Sequence, residues 1–521
     1  MLTEPVTEDW GPFGRPLFDD PDVRRLSRVG VVDVGSNSVR LVVFDGAARS
    51  PAFFYNEKVM CGLGEGMSET GLLNPEGKRR ALVALRRFQI LAEDMAIGPL
   101  TAVATAAVRE AADGPAFRDE VQRETGLSLY VIDGAEEARL SAQGVLLGWP
   151  RAQGLVCDIG GSSMEMATVG NGQIGTRATS ALGPLKIRHL AGNRRALRAH
   201  IDAELARLIA SIGATPERLY LVGGSWRAIA RLDMARQNYP LKVLHEYQMR
   251  PADLRKTLKW IEAGDLEALR VISGVSPQRM GLIPLAVEVL DGVMRVIRPR
   301  EVNVSSYGLR EGLLYEQMPQ ALRERDPLIE ACRHAEYRDA RTPGFGSVLF
   351  RFLRPLYSRA PESRLRLVRA ACHLHDVSWR SHPDYRAEVC FDYATRGNFG
   401  DLSHGDRVFL ALALLHRYRN TRTDPRVDAL LPLIDPDEVL QAEILGKAMR
   451  FGAMFTGERP EQMGTLRWHP QKKRLVLTIG PRAALLFGEV AQARFQSLAR
   501  ALAAETEVVP LTFAPGIQDQ P

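Results

Sequence analysis

Cysteine is scarce in this 521-residue chain: Cys61, Cys157, Cys332, Cys372 and Cys390 are widely spaced and form no CxxC pair. That spacing excludes both a disulfide framework and a zinc ribbon, and a reducing, cytoplasmic location is the simplest reading. Long apolar runs are missing as well. No stretch approaches the ~18 uninterrupted apolar residues of a membrane span, so no membrane partner is expected. The N-terminus lacks the basic and apolar blocks of a signal peptide and is broken by Pro5, Pro12, Pro16 and Pro21, so residues 1–28 read as a loosely ordered leader. Excess charge of one sign is small, 68 Lys and Arg against 62 Asp and Glu, which argues against a nucleic-acid coat. What excess there is sits locally: residues 341–420 hold 13 Arg and 7 acidic residues. A Walker A loop is absent too, arguing against the P-loop route to phosphoanhydride substrates.

What the chain does have is a repeat. Val31-Val32-Asp33-Val34-Gly35-Ser36-Asn37-Ser38 superimposes on Val156-Cys157-Asp158-Ile159-Gly160-Gly161-Ser162-Ser163, pairing Asp33 with Asp158, Gly35 with Gly160 and Ser38 with Ser163. Each copy reads as strand, tight turn, strand, and each opens a run of alternating strand and helix patterns. Two such units imply two α/β halves facing each other. The expected division is residues 29–142 and 143–318 for the two halves, 319–455 for a helical module and 456–521 for an α+β tail. In the tail, Gly464 to Trp468 and Arg474 to Ile479 read as strands and Ala483 to Ala504 as one helix.

Facing Gly-rich hairpins suit a phosphate. Backbone amides around Ser36, Asn37, Ser38 and around Gly160, Gly161, Ser162, Ser163 form anion nests, and the hydroxyls add donors. An aspartate in each hairpin would repel that phosphate unless a hard cation bridges them, so Asp33 and Asp158 point to Mg²⁺, or Mn²⁺ in its place. Gly223-Gly224-Ser225, between a strand and a helix, is a third anion site of the helix N-terminus type.

These stretches, VVDVGSNSVRLVV, CGLGEG, ATAAVREA, IDGAEEARLSAQGV, DIGGSSMEMA, VGGSWRAIARL and SSYGLREGLLYE, resemble the Ppx/GppA family in their order from about residue 30 to residue 316. The resemblance implies an α/β fold with a duplicated actin/hexokinase/Hsp70-like (RNase H-like) core, a C-terminal mainly helical HD-like module and a small α+β tail. It also implies Mg²⁺-dependent hydrolytic release of terminal orthophosphate from inorganic polyphosphate, or of the 5′ γ-phosphate of pppGpp, and a homodimer. The family places its catalytic glutamate immediately before a small residue, which selects Glu137 over Glu136 as the general base. Arg109 falls in a stretch similar to the family's T-x-x-x-R and is expected to clamp phosphate oxygens. Glu165 matches an acid that holds the metal through water. Ser162 departs from the family's usual third glycine, which would strain the loop if that position needed a positive φ.

A different class of reading is a non-catalytic polyanion- or nucleotide-binding switch protein, or a sugar-kinase-like protein, on the same superfold. Those relatives do not share the EEAR glutamate and the ATAAVR arginine as a set. In the helical module, His375-Asp376 resembles an HD metal motif, but the upstream histidine expected around residues 341–348 is missing, and the module reads as a metal-free relic. Its Arg351, Arg354, Arg417 and Arg419 are candidates for holding the far end of a long polyanion.

Overall fold

The computed structural model describes residues 28–45, 49–98, 100–213, 216–421, 424–455 and 464–510. The leader expectation for residues 1–28 falls, except for Arg28, outside the described residues. The chain forms two units. The first runs to Pro327 and takes in Asn398–Asp401; the second comprises Leu328–Gly397 and the chain from Leu402 onward. Among the described residues no helix is long and apolar enough to cross a membrane.

The first unit is built twice on one plan. Strands β1 (Val29–Val34), β2 (Ser38–Phe44), β3 (Phe53–Met60), β4 (Thr101–Ala104) and β5 (Leu129–Val131) form a sheet in the order β3-β2-β1-β4-β5. Its first three strands are an antiparallel meander, and β4 and β5 add parallel to β1. Strands β6 (Gly154–Ile159), β7 (Met164–Gly170), β8 (Gln173–Ser180), β9 (Arg218–Val222), β10 (Tyr247–Met249) and β11 (Glu301–Val304) repeat the plan in the order β8-β7-β6-β9-β11-β10. The meander is β6-β7-β8, β9 lies parallel to β6, and β11 lies parallel to β9. This is the duplicated actin-like core. The β1 sequence VGVVDV and the β6 sequence GLVCDI are apolar on both faces because each strand lies between covered surfaces. In both, the aspartate near the carboxyl end keeps an exposed edge.

Two helices lie where the halves meet. Helix Gly134–Gly148 is buried along most of its length and begins at Asp133, whose side chain accepts from the Glu136 amide at 2.7 Å. It crosses helix Leu309–Glu316 so closely that a Cβ on Gly312 would lie 1.8 Å from the Leu140 carbonyl oxygen. One apolar cluster joins Val31, Val42 and Val103 of the first sheet, Leu140 and Leu147 of this helix, and Val156 and Val222 of the second sheet. The common core fixes the two hairpins relative to one another.

In the second unit, helices such as Glu362–Leu374, His404–Tyr418 and Pro436–Phe455 follow the apolar periodicity of the sequence. The tail holds a three-stranded sheet, β12 (Thr465–His469), β13 (Arg474–Ile479) and β14 (Glu505–Pro510), in that order. The single helix expected over Ala483–Ala504 is two, Pro481–Leu486 and Glu489–Ala501. Gly488 separates them, and the second helix returns the chain to lay β14 parallel to β13.

Candidate active site

The duplicated hairpins face one another. Gly35 donates its N–H to the Ser38 carbonyl at 3.0 Å and Gly160 donates to the Ser163 carbonyl at 2.9 Å, so the two turns share one hydrogen-bonding scheme. The Ser162 hydroxyl donates to the Ser36 hydroxyl at 3.0 Å, tying the tip of one hairpin to the other. Ser162 does not adopt a positive φ, so the serine there causes no backbone strain. The CGLGEG loop braces the first hairpin: Gly62 donates to the Asn37 carbonyl at 3.0 Å and Gly64 to the Ser36 carbonyl at 2.8 Å.

Between the hairpins lies a cavity of about 230 Å³. Its wall includes Asp33 and the Ser36-Asn37-Ser38 tip from one half, and Asp158 with the 160–163 loop from the other. Gly223, Gly224 and Ser225 close the wall at the head of helix Gly224–Arg236. Gly223 has φ 111°, and a Cβ there would lie 2.5 Å from the Ile159 carbonyl oxygen and 3.0 Å from Asp158 Oδ1. No other residue fits that close approach to the second hairpin. Glu137 enters the cavity from the first turn of helix Gly134–Gly148.

Two residues expected in the site adjoin the cavity without lining it. Arg109 is not among the residues lining the cavity; its Nη1 donates to Glu137 Oε2 at 3.2 Å and to the Ile132 carbonyl at 2.8 Å. Glu165 likewise does not line it and is 1% exposed, with Oε1 accepting from the Thr179 hydroxyl at 3.1 Å and Oε2 without a hydrogen-bond partner.

The acids form a strained electrostatic group. Burial is the main reason all four carboxyls are raised above their ordinary range. For Asp33, Arg310 and Arg40 oppose that rise. For Asp158, the opposition comes from the Ser141 hydroxyl bonded to it and from Arg227, while Asp33 adds to the rise. Glu137 is pushed up to about 7, with Arg109 pulling it down and Asp158 and Asp33 pushing it up. Glu165 is raised well above its usual value by burial and then by Glu137. A divalent cation between such carboxyls would offset the effect of burial on their charged forms. Asp33 and Asp158, one from each hairpin and both on the cavity wall, are the pair placed to hold it. Mg²⁺ takes one or two carboxylates and completes its shell with water and phosphate oxygens. Among the described residues no group of three or more His, Cys, Asp or Glu side chains is arranged to hold a metal by itself, and a two-carboxylate site does not need one.

Five cations line the same cavity: Arg40, Lys58, Arg227, Arg279 and Arg310. Burial lowers Arg40 and Arg227 to about 10 and Lys58 to about 8, and neighbouring cations add to each shift. Arg279 is lowered by burial, then by Arg231 and Arg310. Sequence reasoning had not singled these residues out. Arg40, Arg227 and Arg310 lie inside the recognised stretches VVDVGSNSVRLVV, VGGSWRAIARL and SSYGLREGLLYE, just beyond the loops that drew attention. Lys58 and Arg279 carry no local signal. The cations repel one another, and a multiply charged anion would relieve them.

A family model described as the Ppx/GppA phosphatase family matches residues 42–321, and one described as exopolyphosphatase, C-terminal, matches residues 356–509. The chain belongs to the Ppx/GppA phosphatase family. It is accordingly a phosphoanhydride hydrolase. It is similar to exopolyphosphatase 1 of Mycobacterium tuberculosis, 27% identical over 304 residues, covering 56% of this chain and 88% of that protein. Retrograde regulation protein 2 of Saccharomyces cerevisiae is 24% identical over 447 residues, covering 77% of this chain and 74% of its own. Among solved structures, an exopolyphosphatase from Cytophaga hutchinsonii aligns with a TM-score of 0.51 and 26% identity over 56% of this chain and 97% of that one. The Ppx/GppA core therefore accounts for the first unit.

In the second unit, the His375-Asp376 pair does not stand free. Arg341 holds Asp376 through two bonds, Nε to Oδ2 at 2.8 Å and Nη2 to Oδ1 at 2.6 Å, and His375 Nδ1 lies 2.8 Å from the Cys372 carbonyl. A guanidinium thus pairs with the carboxylate that an HD site would give to metal. The expectation for Arg417 as a polyanion contact is corrected. Arg417 is 4% exposed, its guanidinium against the Tyr418 ring, and Arg419 is paired to Glu388 at 2.9 Å. Arg351 and Arg354 are exposed.

Proposed function

We propose that the chain is an exopolyphosphatase, hydrolysing the terminal anhydride of inorganic polyphosphate to release orthophosphate, with Mg²⁺ or Mn²⁺ held by Asp33 and Asp158. The observation that carries this reading is the juxtaposition of buried acids and five inward-facing cations around one cavity of about 230 Å³.

The terminal phosphoryl group lies between the two hairpins, its oxygens taking N–H bonds from the 35–38 and 160–163 turns and hydroxyl bonds from Ser38 and Ser163. The divalent cation, when bound, neutralises phosphate charge between the two aspartates. Glu137 accepts a proton from the attacking water. The water oxygen bonds to the terminal phosphorus, the bond from that phosphorus to the bridging oxygen breaks, and the bridging oxygen leaves with its electron pair on the shortened chain. Negative charge building on the transferred group and the leaving oxygen falls among Arg40, Arg227 and Arg310. In this reading Arg109 acts through Glu137, orienting its carboxylate and opposing the effect of burial, and is a positioning residue. Glu165 is paired with Asp158 across neighbouring strands and in this reading would reach the cation through water. No covalent intermediate is needed.

Orthophosphate release from long polyphosphate, tripolyphosphate and pppGpp by the purified chain tests the proposal. Polyphosphate turnover that exceeds pppGpp turnover supports it. Preference for pppGpp would assign the same cleft to the guanosine pentaphosphate reaction, and turnover of none would overturn the reading.

A further inference from the structure

The two halves differ along one row of side chains. In the first sheet the strand register aligns Asp33 of β1 with Arg40 of β2, and Arg40 with Lys58 of β3. Residues paired across neighbouring strands share a face of the sheet, and two strand spacings of about 4.8 Å carry the row about 10 Å from the central aspartate to the sheet edge. In the second sheet the equivalent row is Asp158, Glu165 and Thr179, which holds no cation. An anion leaving the centre is therefore drawn along the first sheet and away from the second.

At the outer end of that row, Lys58 is exposed and lines the cavity together with Arg279 of the opposite half. The Arg279 guanidinium lies over the head of the phosphate-binding helix: a Cβ on Gly224 would fall 2.9 Å from its Cζ. Among the described residues neither Lys58 nor Arg279 has an ion-pair partner, whereas Arg227 is engaged by the Ser305 and Ser306 carbonyls and Arg40 by the Asn56 side chain. Burial and then Arg279 are the leading causes of the lowered Lys58 ammonium. Two cations, one from each half, line the same cavity, where an anion between them would engage both.

We propose that Lys58 and Arg279 form a subsite for the phosphates beyond the scissile bond, so that the substrate chain leaves the centre along the Asp33–Arg40–Lys58 row. This rests on the polyphosphate reading and adds the direction of the chain and the residues that select a phosphate leaving group. Orthophosphate fills only the inner position; tripolyphosphate reaches the outer one.

The test is calorimetric binding of each anion to the full chain carrying Glu137→Gln, with Lys58→Met, Arg279→Met, both, or the charge-keeping Lys58→Arg. Each Met substitution is expected to weaken tripolyphosphate by about ten-fold or more, as for loss of a charge-assisted bond, and orthophosphate by less than about three-fold. Lys58→Arg is expected to retain tripolyphosphate binding. Equal weakening of both anions would place the pair at the terminal position and overturn the inference, as would no weakening of either. Failure of the wild-type chain to release phosphate from any polyphosphate would instead overturn the functional reading, since that turnover is measured separately from the binding ratio.

Discussion

Replacing Arg109 with Met separates two roles that sequence reasoning alone could not distinguish. Arg109 Nη1 reaches Glu137 at 3.2 Å, and the two side chains are only 21% and 11% exposed, so water screens the pair little. Glu137 already stands at about 7 with this guanidinium beside it. A hydrogen bond to a charged group stabilises it by about 1.5–3 kcal/mol, and about 1.4 kcal/mol corresponds to one pKa unit. Losing the bond should therefore raise the Glu137 carboxyl by about one to two units. The base must be ionised to take a proton from water, so activity is present above the Glu137 pKa and lost as the pH falls through it. A cation between Asp33 and Asp158 removes part of what holds Glu137 up. The wild-type acid limb of kcat/KM is thus expected at or below about pH 7. In Arg109→Met that limb should move up by about one to two units, with a loss at pH 7 of up to about five- to fifty-fold that is largely recovered by about pH 10. The assay is orthophosphate release from tripolyphosphate across pH, with thermal melting as a check on folding. A uniform loss at every pH would refute the positioning role and return Arg109 to direct phosphate contact, and an unmoved limb with full activity would remove it from the site.

Gly223→Ala puts a Cβ 2.5 Å from the Ile159 carbonyl at φ 111°; a fall of several degrees in Tm with at least about ten-fold loss of activity is expected, and wild-type behaviour in both would contradict the close packing of that loop on the second hairpin. Ser162→Ala removes the hydroxyl that bonds Ser36 at 3.0 Å across the halves; about 1 kcal/mol of lost stability and a few-fold rise in KM are expected, read by denaturant unfolding and steady-state kinetics. Asp376→Asn breaks the bidentate ion pair with Arg341 around a carboxylate whose side chain is 5% exposed, while Arg341 is half in water. Because that exposure screens the pair, a modest fall in the melting transition of about 1–2 kcal/mol is expected by differential scanning calorimetry.

Much of the site was legible because its parts recur locally. Asp-x-Gly-x-x-Ser appears twice, and the same two positions, Asp33 and Asp158, emerge on the cavity wall at the ends of matching strands. Helix Pro436–Phe455 was readable for a similar reason, an unbroken periodic run opened by proline. What local pattern could not supply was register. Lys58 sits on β3, a strand with alternating exposed residues and no loop signature, and becomes part of the cavity only through pairing with Arg40. Arg279 lies in the short helix Pro277–Met280 and reaches the site through long-range packing alone. The expected single helix after Ala483 failed on Gly488, where an apolar periodicity continued in sequence across a break in the backbone. Arg109 was legible by type but not by contact: a motif gives the residue, while its 3.2 Å approach to Glu137 depends on the fold.

The central claim is that Glu137 readies the water attacking a phosphoryl group gripped between the two hairpins. Its most direct test is the turnover of Glu137→Gln with tripolyphosphate at saturating Mg²⁺, beside the binding of tripolyphosphate to the same variant. General-base catalysis contributes about 10²- to 10⁴-fold, so turnover is predicted to fall by at least about a hundred-fold with binding retained within about three-fold. Turnover within ten-fold of the wild-type chain would contradict the account.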